Sequence, residues 1–242
     1  MPKPEAVVND GVAIVFAVIF VIVSLIGLVL FKEMRTHSYW RELVVANDID
    51  AIRGLLEVEF RHWREMRPPK AINATVWAGV QGMELLAADA TQAQITTSAE
   101  PEMRVLDGKS QQVATALDIA LATAVRITEM VFYDVANYLP DSVRVDVYTT
   151  FRDQHGAVPR PILSLSADRA NAIGLDWDDD PREIALAFNA RYELGQGGEP
   201  RAISLAPIAP ALAASLESAA TAKKEAQAQA KPSTTPTSPS DH

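Results

Sequence analysis

Twenty consecutive residues, Val12 to Phe31 (VAIVFAVIFVIVSLIGLVLF), carry no charge, and only Ser24 and Gly27 among them are not strongly apolar. At 1.5 Å of rise per residue, a helix of that length is roughly 30 Å long, the thickness of a bilayer's hydrocarbon core. A helix buried in a soluble protein seldom runs so far without a charge on its outer side. A cleaved signal peptide has a shorter apolar stretch, about 7–15 residues, behind a basic leader and ahead of a small-residue cleavage site. Here the leader sets Lys3 against Glu5 and Asp10, and Lys32-Glu33-Met34-Arg35 follows the run. The pattern predicts a short N-terminal tail over 1–11 and an uncleaved transmembrane helix over 12–31, in contact with the lipid bilayer. Lys32, Arg35 and Arg41 on one flank outnumber Lys3 and the α-amino group on the other. By the positive-inside rule this places the C-terminal domain in the cytoplasm, with Tyr39 and Trp40 at or just beyond the interface.

Charge divides unevenly along the rest of the chain. Residues 71–206 hold ten basic and nineteen acidic side chains, so the whole net charge of −9 is matched by this one region. An acidic domain repels a phosphate backbone, so nucleic acid is not an expected partner. Cysteine is absent, which removes disulfide scaffolds, thiolate metal sites and cysteine nucleophiles. Four histidines leave little material for a metal centre, and no cofactor is expected.

A juxtamembrane helical segment is expected over 32–70. Asn47-Asp48 caps a helix from 48 to 67, with Ile49, Ile52, Leu56, Phe60 and Trp63 forming its apolar stripe. Arg61, Arg64, Arg67 and Lys70 at its end could meet lipid head groups, but interleaved Glu57, Glu59 and Glu65 fit a solvated helix face better. An α+β globular domain is expected over 71–206. It opens with a short helix and its leading loop over 71–90, followed by strands at 92–98 and 102–106, the second closed by Asp107-Gly108. A helix is predicted from 110 to 137. Ser142–Arg152 alternates Val143, Val145, Val147, Thr149 and Phe151 with Arg144, Asp146, Tyr148, Thr150 and Arg152, the period of a strand with two unlike faces. A turn at Asp153–Gly156 leads to a return strand at 160–167. Asp180-Pro181-Arg182-Glu183 starts a helix whose apolar side runs to Leu194, and Ala202–Leu205 offers a last strand. These elements predict a mixed, largely antiparallel sheet of about five strands packed with helices. From 207 the chain is alanine-rich and suits a helix with a thin apolar stripe, and its last dozen residues, to 242, have the composition of a disordered tail.

Most catalytic templates fail. No G-x-S-x-G elbow and no G-x-x-x-x-G-K phosphate loop is present. Asp176–Asp180 lacks the glycine and the terminal glutamate of a calcium loop, having Pro181 and Ala187 at those positions. Trp63 and Trp77 read as core residues, and Asn73-Ala74-Thr75 is a lone glycosylation match. The candidate binding residues are Arg144, Asp146, Tyr148 and Arg152 on one strand face, with Ser164 and Ser166 beside them on the next strand and Asp168 and Arg169 at its exit. An acid, a phenol and two guanidinium groups on a rigid sheet could bind an anionic ligand. Without a ligand, the same face reads as the solvated side of a two-layer sheet with cross-strand charge pairs. In general organisation the chain resembles a bacterial single-pass membrane-anchored protein, a likeness that transfers no residue roles.

The expected function is therefore that of a membrane-anchored accessory or binding protein presenting its acidic domain to a partner protein or small ligand, with catalysis undecided and not favoured. Two alternatives are a membrane-tethered hydrolase or nuclease-like enzyme using Asp146, and a structural subunit of a membrane complex. The nuclease form lacks a lysine on the neighbouring strand, since residues 160–169 contain none.

Overall fold

The computed structural model describes residues 18–25, 39–154, 156–210, 212–214, 216–217 and 220–221. The chain divides into two compact units, Met1–Leu43 and Val44–His242. In the first, residues 18–25 are helical and exposed all round, Phe20 to 73%. Tyr39 and Trp40 lie in a second helical stretch with their rings edge to face, 6.0 Å between centroids. The remainder of the expected 12–31 span lies outside the described residues. Among the described residues, no helix is long and apolar enough to cross a membrane.

The second unit is an α+β fold around a mixed six-stranded sheet. Helix α1, Ile49–Glu65, starts at Asp48, whose carboxylate accepts from the Ala51 amide at 3.0 Å. Its predicted stripe of Ile49, Ile52, Leu56, Phe60 and Trp63 is buried. Although α1 comes from the segment 32–70, it packs on the domain, against α2 (Ala74–Gln81) and β1 (Glu84–Ala88).

The expected helix over 71–90 stops at Gly82, and its second half is strand β1. Leu85 and Ala87 alternate with exposed Glu84 and Leu86, a period that suits a sheet edge. β2 is Gln92–Ser98, and β3, Glu102–Leu106, pairs with β4, Lys109–Ala114, in a separate hairpin. Asp107 and Gly108 both have positive φ, 50° and 75°, as a two-residue I′ turn demands. The helix expected from 110 is thereby displaced. Residues 109–114 continue the hairpin, and α3 begins only at Ala116 and ends at Tyr133. Thr115 and Asp118 close a capping box there, which outcompetes the weaker start at 110.

β5, Ser142–Asp153, and β6, Gly156–Asp168, form the long central hairpin, longer on its return side than the alternation at 160–167 indicated. After the single turn α4 (Arg169–Ala172), Asp180 caps α5, Pro181–Ala187, with Pro181 at the start. The helix expected to reach Leu194 ends at Ala187. Residues Asn189–Leu194 form β7, which pairs with β6. The last strand, β8, is Pro200–Arg201, so the expected strand at 202–205 lies beyond the ladder.

The sheet runs β1-β2-β5-β6-β7-β8, antiparallel throughout except for the parallel pair β2–β5. One face presents Ile95, Val143, Val145, Val147, Leu163 and Leu165, all with essentially no exposure. Against it packs α3 through Leu117, Leu121, Ala124, Ile127 and Val131. α2 closes on α3 at Gly79. A Cβ there would lie 2.7 Å from the Thr123 methyl group, so only glycine permits the approach. This layer is the core, and it leaves the opposite face of the sheet for polar side chains.

Candidate functional site

The ladder sets Arg144 opposite Ser166 and Asp146 opposite Ser164 on β6, while the parallel pairing places Gln94 of β2 beside Arg144. Alternation sends all these side chains to the face away from α3. Asp146 sits at the centre with no exposed surface. Its Oδ1 accepts from Ser164 Oγ at 2.6 Å and Arg144 Nε at 2.9 Å, and its Oδ2 accepts from Gln94 Nε2 at 3.0 Å. A buried carboxylate is tolerable only with such partners. The ion pair with Arg144 is itself enclosed, its side chains being 15% and 1% exposed.

What encloses it is the chain's own C-terminal part. Residues 202–210 and Leu212, here called the strap, cross the polar face from β7 toward β2. The Ile203 amide donates to the Pro161 carbonyl on β6 at 2.9 Å, and Arg191 Nη2 on β7 reaches the Ser204 carbonyl at 3.4 Å. Arg144 then donates from Nη2 to the Ala206 carbonyl at 2.8 Å and from Nη1 to the Pro207 carbonyl at 3.1 Å. Ile203 and Leu212 are buried anchors, 9% and 1% exposed. The expectation of a solvated sheet face thus fails at its middle, because apolar side chains of the alanine-rich segment cover it.

The six sequence-selected residues do not form one cluster. Arg144, Asp146 and Ser164 are brought together. Ser166 is half-buried and lines a cavity of about 230 Å³ between strap and sheet, which Gln92, Ser142, Asp168, Pro207 and Leu212 also border. Tyr148 follows a ladder irregularity at Val147, which sets it opposite Pro161, and it is half-buried. Arg152 is exposed at the far end of β5. Arg169 is turned away from this face: its Nε and Nη1 donate to the Pro140 and Phe132 carbonyls at 2.8 and 3.1 Å, and it lies over the Phe132 ring.

Sequence reasoning missed Gln94, Arg191 and the strap. Gln94 carried a usable signal, since Gln92, Gln94, Thr96 and Ser98 alternate with Ala93, Ile95 and Thr97. Its parallel partnership with β5 carried none.

A larger cavity of about 630 Å³ lies at the C-terminal ends of β2 and β5, beside the start of α3. Glu100, Thr115, Thr150, Phe151, Arg152 and Glu199 are among its walls. Glu100 Oε1 accepts from the Thr150 hydroxyl at 2.7 Å and the Thr150 amide at 3.2 Å. The position resembles the crevices in which open sheets with parallel strands hold ligands.

Asp180 and Asp176 serve local turns, accepting from the amides of Arg182 and Asp178 at 2.8 and 3.0 Å. Asn73 caps α2 through the Thr75 amide at 2.8 Å and donates to Glu102 at 2.6 Å. Trp63 and Trp77 are buried, Trp77 Nε1 donating to the Met66 carbonyl at 3.2 Å. Among the described residues, no group of three His, Asp or Glu side chains is placed to hold a metal ion. Comparison of the chain with protein-family models, with curated proteins and with solved structures finds no match.

Proposed function

We propose that this chain is a single-pass membrane-anchored accessory or binding protein, with the apolar run 12–31 crossing the bilayer. Its acidic α+β domain, on the cytoplasmic side, is offered to a protein partner. One observation carries the binding reading. Arg144, oriented by Asp146, directs both terminal nitrogens at the successive main-chain carbonyls of Ala206 and Pro207. That is recognition of polypeptide by a forked donor whose geometry is fixed in advance, which lowers the ordering cost of binding. Asp146 suits a structural acceptor better than a general base: it is enclosed, and three donors occupy it.

Two measurements test the reading. Membranes carrying the full chain should retain it through alkaline carbonate washing, while a chain with two arginines placed within 18–25 should be released. A photo-reactive residue at Ser166 should cross-link a partner in membranes from the native source, and Arg144→Ala should abolish that cross-link. Release of the unaltered chain by carbonate defeats the anchor. A cross-link indifferent to Arg144→Ala defeats the proposed recognition face.

A further inference from the structure

We propose that the groove beneath the strap is a docking site for a proline-containing peptide of a partner protein, extended over the positions of residues 203–208 and helical from that of Pro210. The peptide would carry a basic residue at the position of Ala209, and the chain's own segment fills the groove in cis. The inference rests on the binding reading above and names the chemistry of its partner.

The cis segment shows what the groove accepts. Arg144 and Arg191 contact only main-chain carbonyls of Ser204, Ala206 and Pro207, so these contacts are open to any extended sequence. Selectivity comes from elsewhere. Ile203 and Leu212 fill apolar sites at the two ends. Pro207 sits between them in the extended part, where the sheet face offers side chains instead of a ladder, and Pro210 opens the helical part, whose Ala213 amide donates to the Ala209 carbonyl at 2.9 Å. A residue without an N–H leaves nothing unpaired there, and its fixed φ reduces the entropy lost on docking.

The fit is incomplete. A cavity of about 230 Å³ lies beside Ala209, walled by Gln92, Ser142, Arg144, Ser166 and Asp168 among others. The Arg144 charge is already met by Asp146, which leaves Asp168 as the uncompensated one. An alanine methyl is too small and too apolar for that space. Asp168 precedes α4 but makes no capping hydrogen bond, so its carboxylate is not committed to the helix start. The region around it, residues 71–206, carries nineteen acidic against ten basic side chains. A lysine or arginine in place of Ala209 would fill the void and meet Asp168, a gain the cis segment forgoes. A resident segment with a suboptimal central residue is one that a better-matched segment displaces.

The test uses the full chain in detergent micelles and labelled peptides spanning residues 200–214, read by fluorescence anisotropy. One peptide has the natural sequence, one Ala209→Lys and one Ala209→Glu. The Lys peptide should bind roughly tenfold more tightly than the natural one, and the Glu peptide more weakly than either. Leu212→Asp in the full chain loosens the cis segment and should strengthen binding of all three. Adding Arg144→Ala to it should weaken them by roughly tenfold or more. Should Leu212→Asp lose its far-ultraviolet circular dichroism, Leu212→Ala carries the same expectation. Equal affinity for the Lys and Glu peptides overturns the inference, as does absence of binding at about 1 mM to a folded loosened variant. Dimer formation by that variant would make the occupant a second copy and also overturns it. A partner cross-linked through Ser166 that the Lys peptide fails to displace defeats this inference alone; absence of any cross-link defeats the binding reading beneath it.

Discussion

Ser164 donates its hydroxyl hydrogen to Oδ1 of Asp146 at 2.6 Å across the β5–β6 ladder, where the two residues stand directly opposite each other. Neither is exposed beyond 4%. The pair therefore ties register to burial. A one-residue slip between β5 and β6 would move Asp146 from a set of three donors to the apolar face under α3.

Asp146→Ala should destabilise the domain by about 3–5 kcal/mol, because it leaves the enclosed Arg144 guanidinium without its counter-charge. Asp146→Asn, which keeps an acceptor oxygen, should cost less. Urea unfolding followed by circular dichroism would rank the two. Equal cost for both would show that the charge carries the whole effect and the acceptor oxygen none, whereas an Asn variant as stable as the wild type would show that the charge contributes nothing.

Gly79→Ala should destabilise by about 1–3 kcal/mol, since its Cβ would stand 2.7 and 2.9 Å from Thr123 atoms. Combining it with Thr123→Ala should recover part of that loss, leaving the 3.2 Å approach to the Ser98 carbonyl as the residue. A double-mutant cycle measures the coupling, and strictly additive effects would contradict the stated contact.

Thr115→Ala should cost about 1 kcal/mol through loss of the α3 cap. Burial raises the Asp118 carboxyl, but hydrogen bonds from the Thr115 side chain and backbone and from Arg182 outweigh it, and its pKa falls below the usual value. A depressed carboxyl contributes stability above its unfolded pKa, near 3.9, and loses it as pH falls through the folded value. The stability difference between the wild type and Asp118→Asn should therefore be constant at neutral pH and shrink below about pH 4. Thermal melts across that range would check it.

Tyr138 is fully buried, and its hydroxyl lies 2.9 and 2.8 Å from the carbonyl oxygens of Asp89 and Gln92. Burial, reinforced by the negative charge of Asp89, pushes the phenol far above its ordinary range. The neutral form is the folded form, so the stabilisation is complete below the unfolded pKa near 10 and declines as pH rises past it. Difference absorbance should show no Tyr138 phenolate before unfolding, and Tyr138→Phe should flatten the alkaline decline. A phenolate signal in the folded state would overturn this.

Local signals on the chain were sufficient wherever one element's own residues determine it. The stripe of α1, the alternation of β5 and the Asp180-Pro181 start of α5 all lie where periodicity and capping place them. The failures fall where a neighbour decides. Residues 84–88 and 189–194 look equally acceptable to a helix, and they become strands because β2 and β6 offer edges to pair with. The site was half legible for the same reason. Arg144, Asp146 and Ser164 share a face by alternation alone. Gln94 joins them through a parallel pairing formed over more than forty intervening residues. The covering strap joins residues 202–205, whose pattern suggests a strand, to an alanine-rich segment whose apolar stripe is too thin to indicate where it docks.

The strap's direction has a mechanical meaning. Lying across the strands, it is held by contacts that meet a pull on the C-terminus one after another. Leu212 would yield first, then the two carbonyls on Arg144, then Ser204, and last the Ile203 amide on Pro161. The Ile203 amide bond is worth only about 0.5–1.5 kcal/mol and each guanidinium bond about 1.5–3 kcal/mol, and apart from the fork on Arg144 none must break together with another. The strap therefore unzips under a small load, whereas the β5–β6 ladder beneath it, loaded along its strands, resists in shear. Tension from the tail uncovers the groove long before it threatens the sheet.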